Sequence, residues 1–225
     1  MNIVPPRPAD LDSDDPAARV GDRARIARLL RDDGGARALR EGDWLHGDDG
    51  VAPAGTPIKG HRGTPAAVLV GLVDRPAGTQ VLLTQRSSHL KHHAGQISFP
   101  GGRVEDDDLD ATATALRETE EEIGLTAEHI DILGQLAAYH TVTGFRVQPV
   151  VGWITPPEAY IPDPTEVDEV FEVPLPFVLD PRNHERHIAE HNGMLRRFYV
   201  LPFQDRYIWG ATAGILVNFA RLLTR

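Results

Sequence analysis

The 225-residue chain contains no cysteine. This absence excludes disulfide bonds, thiolate metal sites and cysteine nucleophiles, and it agrees with a reducing compartment. The chain also lacks any apolar run of the roughly 20 residues that a membrane-spanning helix needs. Its first residues, MNIVPPRPADLDSDD, have neither the basic start nor the apolar stretch of a secretory signal peptide. We therefore expect a soluble, cytoplasmic protein with no membrane partner.

Basic residues are outnumbered by acidic ones, and the formal net charge is −10 at pH 7. Such an excess of negative charge opposes non-specific binding to nucleic acid, so we predict no nucleic-acid partner. Apolar residues make up 41% of the chain, slightly below the usual globular range, and the charged fraction of 25% is ordinary, which argues against a wholly disordered chain. If this protein binds an anionic substrate, its binding site needs cations.

The order of apolar and polar segments predicts a single α/β domain with an N-terminal extension. Residues 1–60 form the extension, an arm and a helix, and residues 61–225 form the main domain. An amphipathic helix is predicted over residues 16–31, with Asp15 as its N-cap. The main domain begins with a buried strand over residues 66–73, which forms a hairpin with a strand over residues 81–84.

Further strands and two helices are predicted in the rest of the main domain. A helix over residues 110–123 ends at Gly124, a residue that suits the left-handed turn closing many helices. A final helix begins near residue 211 and carries its large apolar side chains on one face. Three strands are predicted: around residues 130–138, 145–154 and 167–173. The proline-rich segment 155–164 joins the last two.

The helix predicted over residues 110–123 carries a cluster of carboxylates. Glu118, Glu121 and Glu122 are spaced i, i+3 and i+4, so they share one helical face. Like charges at this spacing repel, and a bound cation would relieve the repulsion. Oxygen ligands suit Mg²⁺ or Mn²⁺, which also bridge to substrate phosphates. Arg117 precedes Glu121 by four residues and can pair with it and fix its orientation.

An acidic, solvated helix surface is the alternative interpretation of this cluster. Two neighbouring features argue against it. The pair Gly101 and Gly102 lies upstream, where the absence of side chains allows a ligand to approach the backbone closely. The helix also has Arg117 directly before its first glutamate of the cluster and Gly124 directly after its end.

Residues 117–125, RETEEEIGL, resemble the second half of the Nudix box, G-x5-E-x7-R-E-U-x-E-E-x-G-U, where U is apolar. Thr119 is the one departure in this half, because it occupies an apolar position. The first half differs more. From Gly102 to Arg117 there is one residue more than the box allows. Asp108 stands where the first glutamate is expected, with two neighbouring acids as alternatives: Asp106 and Asp107.

This longer loop resembles the coenzyme A pyrophosphatase branch of the Nudix family. The branch has an upstream signature, L-L-T-x-R-S-x3-R-x3-G-x3-F-P-G-G. Residues 82–102 read LLTQRSSHLKHHAGQISFPGG and match every specified position except Lys91, which replaces arginine and keeps the charge. The resemblance implies a Nudix-type α/β/α sandwich with a mixed central sheet. It also implies hydrolysis of coenzyme A or its thioesters to 3′,5′-ADP and 4′-phosphopantetheine or its acyl form.

The same resemblance implies roles for the box residues. Glu118 and Glu122 would be the principal ligands of Mg²⁺ or Mn²⁺, and Glu121 a further ligand or the base that activates water. We assign Gly101 and Gly102 to the substrate site, where one of their carbonyl oxygens could complete the metal coordination. Arg117 is assigned to the catalytic group because it can orient Glu121.

Outside the box, two basic residues and one acid are candidates. Arg86 and Lys91 are expected to contact phosphate oxygens, with a surface salt bridge as the alternative for each. Family members often use a further acid from a loop, and Glu166 is our candidate catalytic acid. Asp168 and Glu169 compete with it, and ordinary loop charge is the alternative for each acid.

Two other functions stay open at this point. One is a Nudix hydrolase acting on another nucleoside diphosphate derivative, such as ADP-ribose or NADH. The other is a Nudix module that binds a nucleotide without hydrolysis, which the presence of all three box glutamates disfavours. The family resemblance allows a homodimer. Trp209 and Gly210 are interpreted as the residues that position the last helix on the domain, with Trp209 as a core residue.

Overall fold

The computed structural model describes residues 22–33, 63–90, 94–141, 143–191 and 194–224. Helix α1 (Arg23–Asp33) lies in the N-terminal extension and ends two residues beyond the predicted end. Asp15, residues 16–21 and Lys91, all part of our predictions, lie outside the described residues. No helix in the described ranges is long and apolar enough to cross a membrane.

Helix α1 packs against the main domain. Its side chains Ile26 and Leu30 are buried in the larger apolar cluster of the protein. The guanidinium of Arg25 donates a hydrogen bond to the carbonyl oxygen of Leu223 at 2.8 Å. The extension therefore contributes to the core, because burying apolar side chains removes their surface from water.

A mixed sheet forms the centre of the fold. Its described strands are β1 (Thr64–Val73), β2 (Gln80–Arg86), β3 (Ile97–Ser98), β4 (Gly101–Arg103), β5 (Ile130–Gln135), β6 (Tyr139–His140), β7 (Phe145–Ile154) and β8 (Val167–Pro174). The order is β3-β2-β1-β7-β5, with β4 on β1, β6 on β7 and β8 on β2. Strands β1 and β7 are parallel along their whole length, and the other pairs are antiparallel.

Apolar layers cover both faces of this sheet. The described helices that follow α1 are α2 (Ala111–Ile123), α3 (Leu175–Leu179) and α4 (Gly210–Leu223). Helix α2 packs on one face, where Ala115 and Ile123 join Val150 in one apolar cluster. The next residue, Val151, points to the other face and joins the cluster that contains α1 and α4. Most of β1 and residues 149–154 of β7 are covered on both sides and are apolar runs, and the architecture is the predicted α/β/α sandwich.

The ends of helix α2 agree with the sequence prediction. The Asp110 carboxylate caps the first turn and accepts hydrogen bonds from the backbone N–H groups of Thr112 and Ala113, at 2.8 and 2.9 Å. Gly124 closes the helix with a φ of 67°, in the left-handed region that glycine favours. Thr119 is fully buried, and its hydroxyl donates to the Ala115 carbonyl at 2.6 Å, which satisfies the polar group at an apolar position of the box.

A second sheet, which the sequence pattern did not predict, consists of three antiparallel strands: β9 (Glu185–His191), β10 (Met194–Phe203) and β11 (Arg206–Trp209). The first of these strands has no buried apolar face, since even Ile188 is 61% exposed. Strands of this kind depend on pairing with their neighbours more than on an alternating apolar pattern. This sheet leads directly into α4 and so determines where that helix begins.

Candidate active site

The candidate site lies where helix α2 faces strands β2 and β4. Glu122, near the end of α2, is only 2% exposed. Its carboxylate accepts a hydrogen bond from the Gly101 backbone N–H at 3.2 Å, and its other oxygen lies 3.5 Å from the Arg86 guanidinium. One buried carboxylate therefore joins the box helix to two strands of the upstream signature, β2 and β4.

Burial raises the pKa of Glu122 to about 8, although the Arg86 charge and the Gly101 N–H both act in the opposite direction. The charges of Glu118 and Glu166 raise this pKa further. A positive ion close to Glu122 would favour its ionised form. The electrostatic environment therefore fits a site that receives a cation.

Glu118 lies beside the glycine pair. A Cβ atom on Gly102 would collide with the Glu118 carboxylate, so glycine leaves the space that this carboxylate occupies. Burial raises the pKa of Glu118, Arg117 lowers it, and the charges of Glu121 and Glu166 raise it again. The neighbouring negative charges thus destabilise the ionised form of Glu118, as they do that of Glu122.

Gly101 has a different structural role. Its φ is 151°, and a Cβ atom there would collide with the backbone of Ala67 and Val68 on β1. Strand β4 can therefore pair closely with β1, with Val68 opposite Gly101 and Ala67 opposite Gly102. This pairing holds the Gly101 N–H where it donates to Glu122.

Arg117 connects the two halves of the box. Its guanidinium binds both carboxylate oxygens of Asp108 at 3.0 Å, and it also donates to Glu118 at 3.1 Å and to Glu121 at 3.0 Å. It makes one further bond, to the Arg103 carbonyl at 3.2 Å. The predicted pairing of Arg117 with Glu121 is therefore present, and the same arginine orients Glu118.

The paired acid in the first half of the box is Asp108. Its side chain is 6% exposed, whereas Asp106 and Asp107, the two alternatives, are exposed. Hydrogen bonds from Arg117, from the Glu105 backbone N–H and from the Thr114 hydroxyl hold the pKa of Asp108 well below its usual value. Of the three candidate acids in this loop, Asp108 is therefore the one that pairs with the box arginine.

Each of the three predicted metal ligands contacts one of two arginines. Glu118 and Glu121 bind Arg117, Glu122 faces Arg86, and Glu121 is 59% exposed. Within the described ranges, no three acidic or histidine side chains converge as a ready-made metal site. The donors are nevertheless all carboxylate oxygens whose charges oppose one another, and this chemistry fits a hard divalent cation.

Of the three loop acids, Glu166 acts most directly on the box. It lies in the turn before β8, and its charge raises the pKa of both Glu118 and Glu122. The competitors are engaged elsewhere. Asp168 accepts a hydrogen bond from the Ser88 N–H at 2.9 Å, and Glu169 pairs with Arg206 at 2.6 Å.

A cavity of about 350 Å³ opens beside these carboxylates. The segment that matches the upstream signature supplies a large part of its wall, including Arg86, Gln96, Ile97, Phe99, Gly101 and Gly102. Arg86 and both glycines line the cavity and also contact box glutamates. A ligand in the cavity would therefore contact residues that themselves contact the acidic cluster.

The interpretation of Trp209 as a core residue was wrong. Trp209 directly precedes α4, as the sequence suggested, but its side chain is 40% exposed and lines the cavity. Phe145, on β7, also lines the cavity and was not recognised as a site residue either. The sequence carries no signal for these two positions, because their exposure depends on how β11 and β7 pack.

The sequence pattern of the NUDIX domain family matches residues 63–198. Among curated proteins, the Nudix hydrolase NudL of Escherichia coli strain K12, whose name describes it as uncharacterized, is 42% identical over 155 residues. The match covers 69% of this chain and 80% of that protein. NudL of the E. coli strain O7:K1 is 41% identical over the same length and with the same coverage.

Solved structures with Nudix folds are also similar to this chain. RenU, a Nudix hydrolase from M. smegmatis, is 24% identical with a TM-score of 0.43, over 50% of this chain and 71% of its own. A MutT/nudix family protein from Enterococcus faecalis is 17% identical with a TM-score of 0.45, over 92% of this chain and 73% of its own. Because both TM-scores are low, the assignment of this chain to a family rests on the sequence matches alone.

Proposed function

We propose a substrate for this chain, which belongs to the NUDIX domain family. It hydrolyses the diphosphate bond of coenzyme A or of its thioesters. As a Nudix hydrolase it acts on nucleoside diphosphate derivatives. The observation that supports the narrower substrate is the cavity wall. The segment over residues 82–102, which carries the coenzyme A pyrophosphatase signature, lines the cavity beside the box carboxylates. The products would be 3′,5′-ADP and 4′-phosphopantetheine or its acyl form.

Nudix hydrolases generally use divalent metal ions such as Mg²⁺ or Mn²⁺. In this chain Glu118, Glu121 and Glu122 would hold the ion, with a carbonyl oxygen of Gly101 or Gly102 as a further donor. A bound divalent ion supplies positive charge to the diphosphate and lowers the pKa of a water molecule. Arg117 holds Glu118 and Glu121 in place through its hydrogen bonds to both carboxylates.

Arg86 is the residue that we assign to the diphosphate. It lines the cavity and lies 3.5 Å from Glu122, so it can reach ligand oxygens while it stays next to the acidic cluster. Guanidinium groups bind phosphate oxygens with paired hydrogen bonds. Lys91 stays a prediction from the sequence, as does a role for Glu121 as the base.

A substrate panel tests the proposal. Purified protein is incubated with Mg²⁺ or Mn²⁺ and coenzyme A, ADP-ribose, NADH or a dinucleoside polyphosphate, and the products are separated by chromatography. We expect coenzyme A to be cleaved to 3′,5′-ADP and 4′-phosphopantetheine. Survival of coenzyme A while ADP-ribose is cleaved would contradict the narrower substrate. If nothing is cleaved but one compound raises the melting temperature, the protein is a binding module.

We assign Glu166 to the catalytic group because it is the loop acid whose charge raises the pKa of both Glu118 and Glu122. Changing Glu166 to glutamine is expected to lower kcat about 10-fold, the lower end of the loss that follows removal of a group supporting the ligands of a metal. Asp168→Asn and Glu169→Gln are matched controls, because these acids bind Ser88 and Arg206 instead. Steady-state kinetics on all three variants gives the answer, and a larger loss in either control would move the role to that residue.

A further inference from the structure

Trp209 occupies an unusual position for a large aromatic side chain. It is the last residue of β11, and its indole is 40% exposed rather than part of the core. The ring of Phe198 on β10 packs edge-on against it, with the ring centres 5.7 Å apart and an interplanar angle of 66°. This contact holds the indole in place on the sheet while part of its surface stays open to solvent.

Two cavities meet at Trp209. The first, of about 350 Å³, contains Arg86, Gly101 and Gly102 beside the box carboxylates. The second, of about 530 Å³, is more polar and includes Glu169 and Arg206 in its wall. Gln96, Ile97 and Trp209 line both cavities. A ligand that extends from the first cavity into the second therefore passes beside Trp209.

Trp209 differs from the other described aromatic side chains of the first cavity. Phe99 is 2% exposed and belongs to the core. The ring of Phe145 has the Arg103 guanidinium over it, 5.3 Å from the ring centre. Trp209 combines exposure with a fixed ring, and such rings are the surfaces on which nucleic-acid bases stack in proteins.

We propose that the indole of Trp209 stacks on the nucleobase of the substrate and so contributes to its selection. This inference takes one element from the proposed function, namely that the ligand is a nucleoside diphosphate derivative. The diphosphate lies against Arg86 and the box carboxylates, and the base lies on the rim between the two cavities. Stacking does not require hydrogen bonds to the base edge, so it favours aromatic bases over ligands that lack one.

Isothermal titration with ADP tests this proposal. An ADP unit is part of coenzyme A, ADP-ribose and NADH, so the binding of ADP does not depend on which of the three compounds is cleaved. Trp209→Ala is expected to lower the affinity for ADP about 10-fold, whereas Trp209→Phe keeps most of it. Inorganic diphosphate, which has no base, should bind both variants as it binds the wild type. In kinetics with the preferred substrate, KM should rise while kcat stays unchanged.

Ile188→Ala is the matched control. Ile188 is a large exposed apolar residue of the same three-stranded sheet, and it lines neither cavity. Equal ADP affinity in Trp209→Ala and the wild type would overturn the proposal, and so would a wild type that binds no ADP. An equal loss of affinity for ADP and inorganic diphosphate would also overturn it, since that result indicates a general structural role. Failure to cleave coenzyme A affects only the proposed function.

Discussion

Replacing Glu122 with glutamine is expected to lower kcat by about 100-fold to 1,000-fold, the effect of several kcal/mol of lost stabilisation of transition-state charge. Glutamine keeps the shape of the side chain, and its amide oxygen can still accept the Gly101 N–H bond that Glu122 accepts at 3.2 Å. It cannot supply the negative charge that holds a divalent ion. Steady-state kinetics with Mg²⁺ or Mn²⁺ measures the loss.

Glu120→Gln is the matched control for this variant, because Glu120 is an exposed glutamate of the same helix. Its activity should equal that of the wild type. If Glu122→Gln retained the turnover of the wild type, the assignment of Glu122 as a metal ligand would be wrong. A loss in both variants would indicate damage to α2 rather than to the site.

In metal-free protein, the difference in stability between the wild type and Glu122→Gln is expected to depend on pH. Burial raises the pKa of Glu122 from 4.5 to about 8, so between these values the folded protein keeps a proton that the unfolded chain releases. The wild type therefore loses stability as the pH rises through this range, and the glutamine variant lacks this loss. Melting temperatures in a chelator should be similar near pH 4.5 and should favour Glu122→Gln at pH 8.

Much of the fold could be predicted from apolar patterning. The strand over residues 145–154 and the helix that ends at Gly124 have the predicted bounds to within one residue, because the buried run over residues 149–154 and a capped helix leave clear local signals. The three-stranded sheet that ends at Trp209 has no such signal. Its outer strand is largely exposed and has no alternating apolar pattern, so its structure depends on pairing with a neighbour that the sequence does not indicate.

For the candidate site, the sequence predicted which carboxylates share a helical face, since the period of a helix fixes this relation. It predicted neither the contacts between Gly102 and Glu118 nor the exposure of Trp209. Both depend on how separate strands approach one another in space. The sequence also left three candidate acids in the loop before α2, because a loop has no fixed periodicity, and the bonds of Arg117 distinguish Asp108 from the other two.

Replacing Asp108 with asparagine is expected to lower kcat about 10-fold to 100-fold, as is usual when a group that orients metal ligands is lost. Asp108 binds the Arg117 guanidinium with both oxygens, and Arg117 in turn holds Glu118 and Glu121. Asparagine offers a single oxygen and no charge, so Arg117 loses its anchor. Kinetics and thermal melting of the variant test both effects, and Asp106→Asn and Asp107→Asn are the matched controls because both aspartates are exposed.

Acid conditions give Asp108 a second test. The pKa of Asp108 lies well below its usual value in the folded protein, chiefly because of its hydrogen bonds to Arg117, whereas in the unfolded chain it is about 3.9. The ionised pair therefore stabilises the fold above about pH 4, and this contribution is lost as the pH falls towards the folded pKa. The wild type should melt several degrees above Asp108→Asn at pH 7, and the difference should shrink below about pH 4. A difference that is independent of pH would show that the charge of Asp108 is not what holds Arg117.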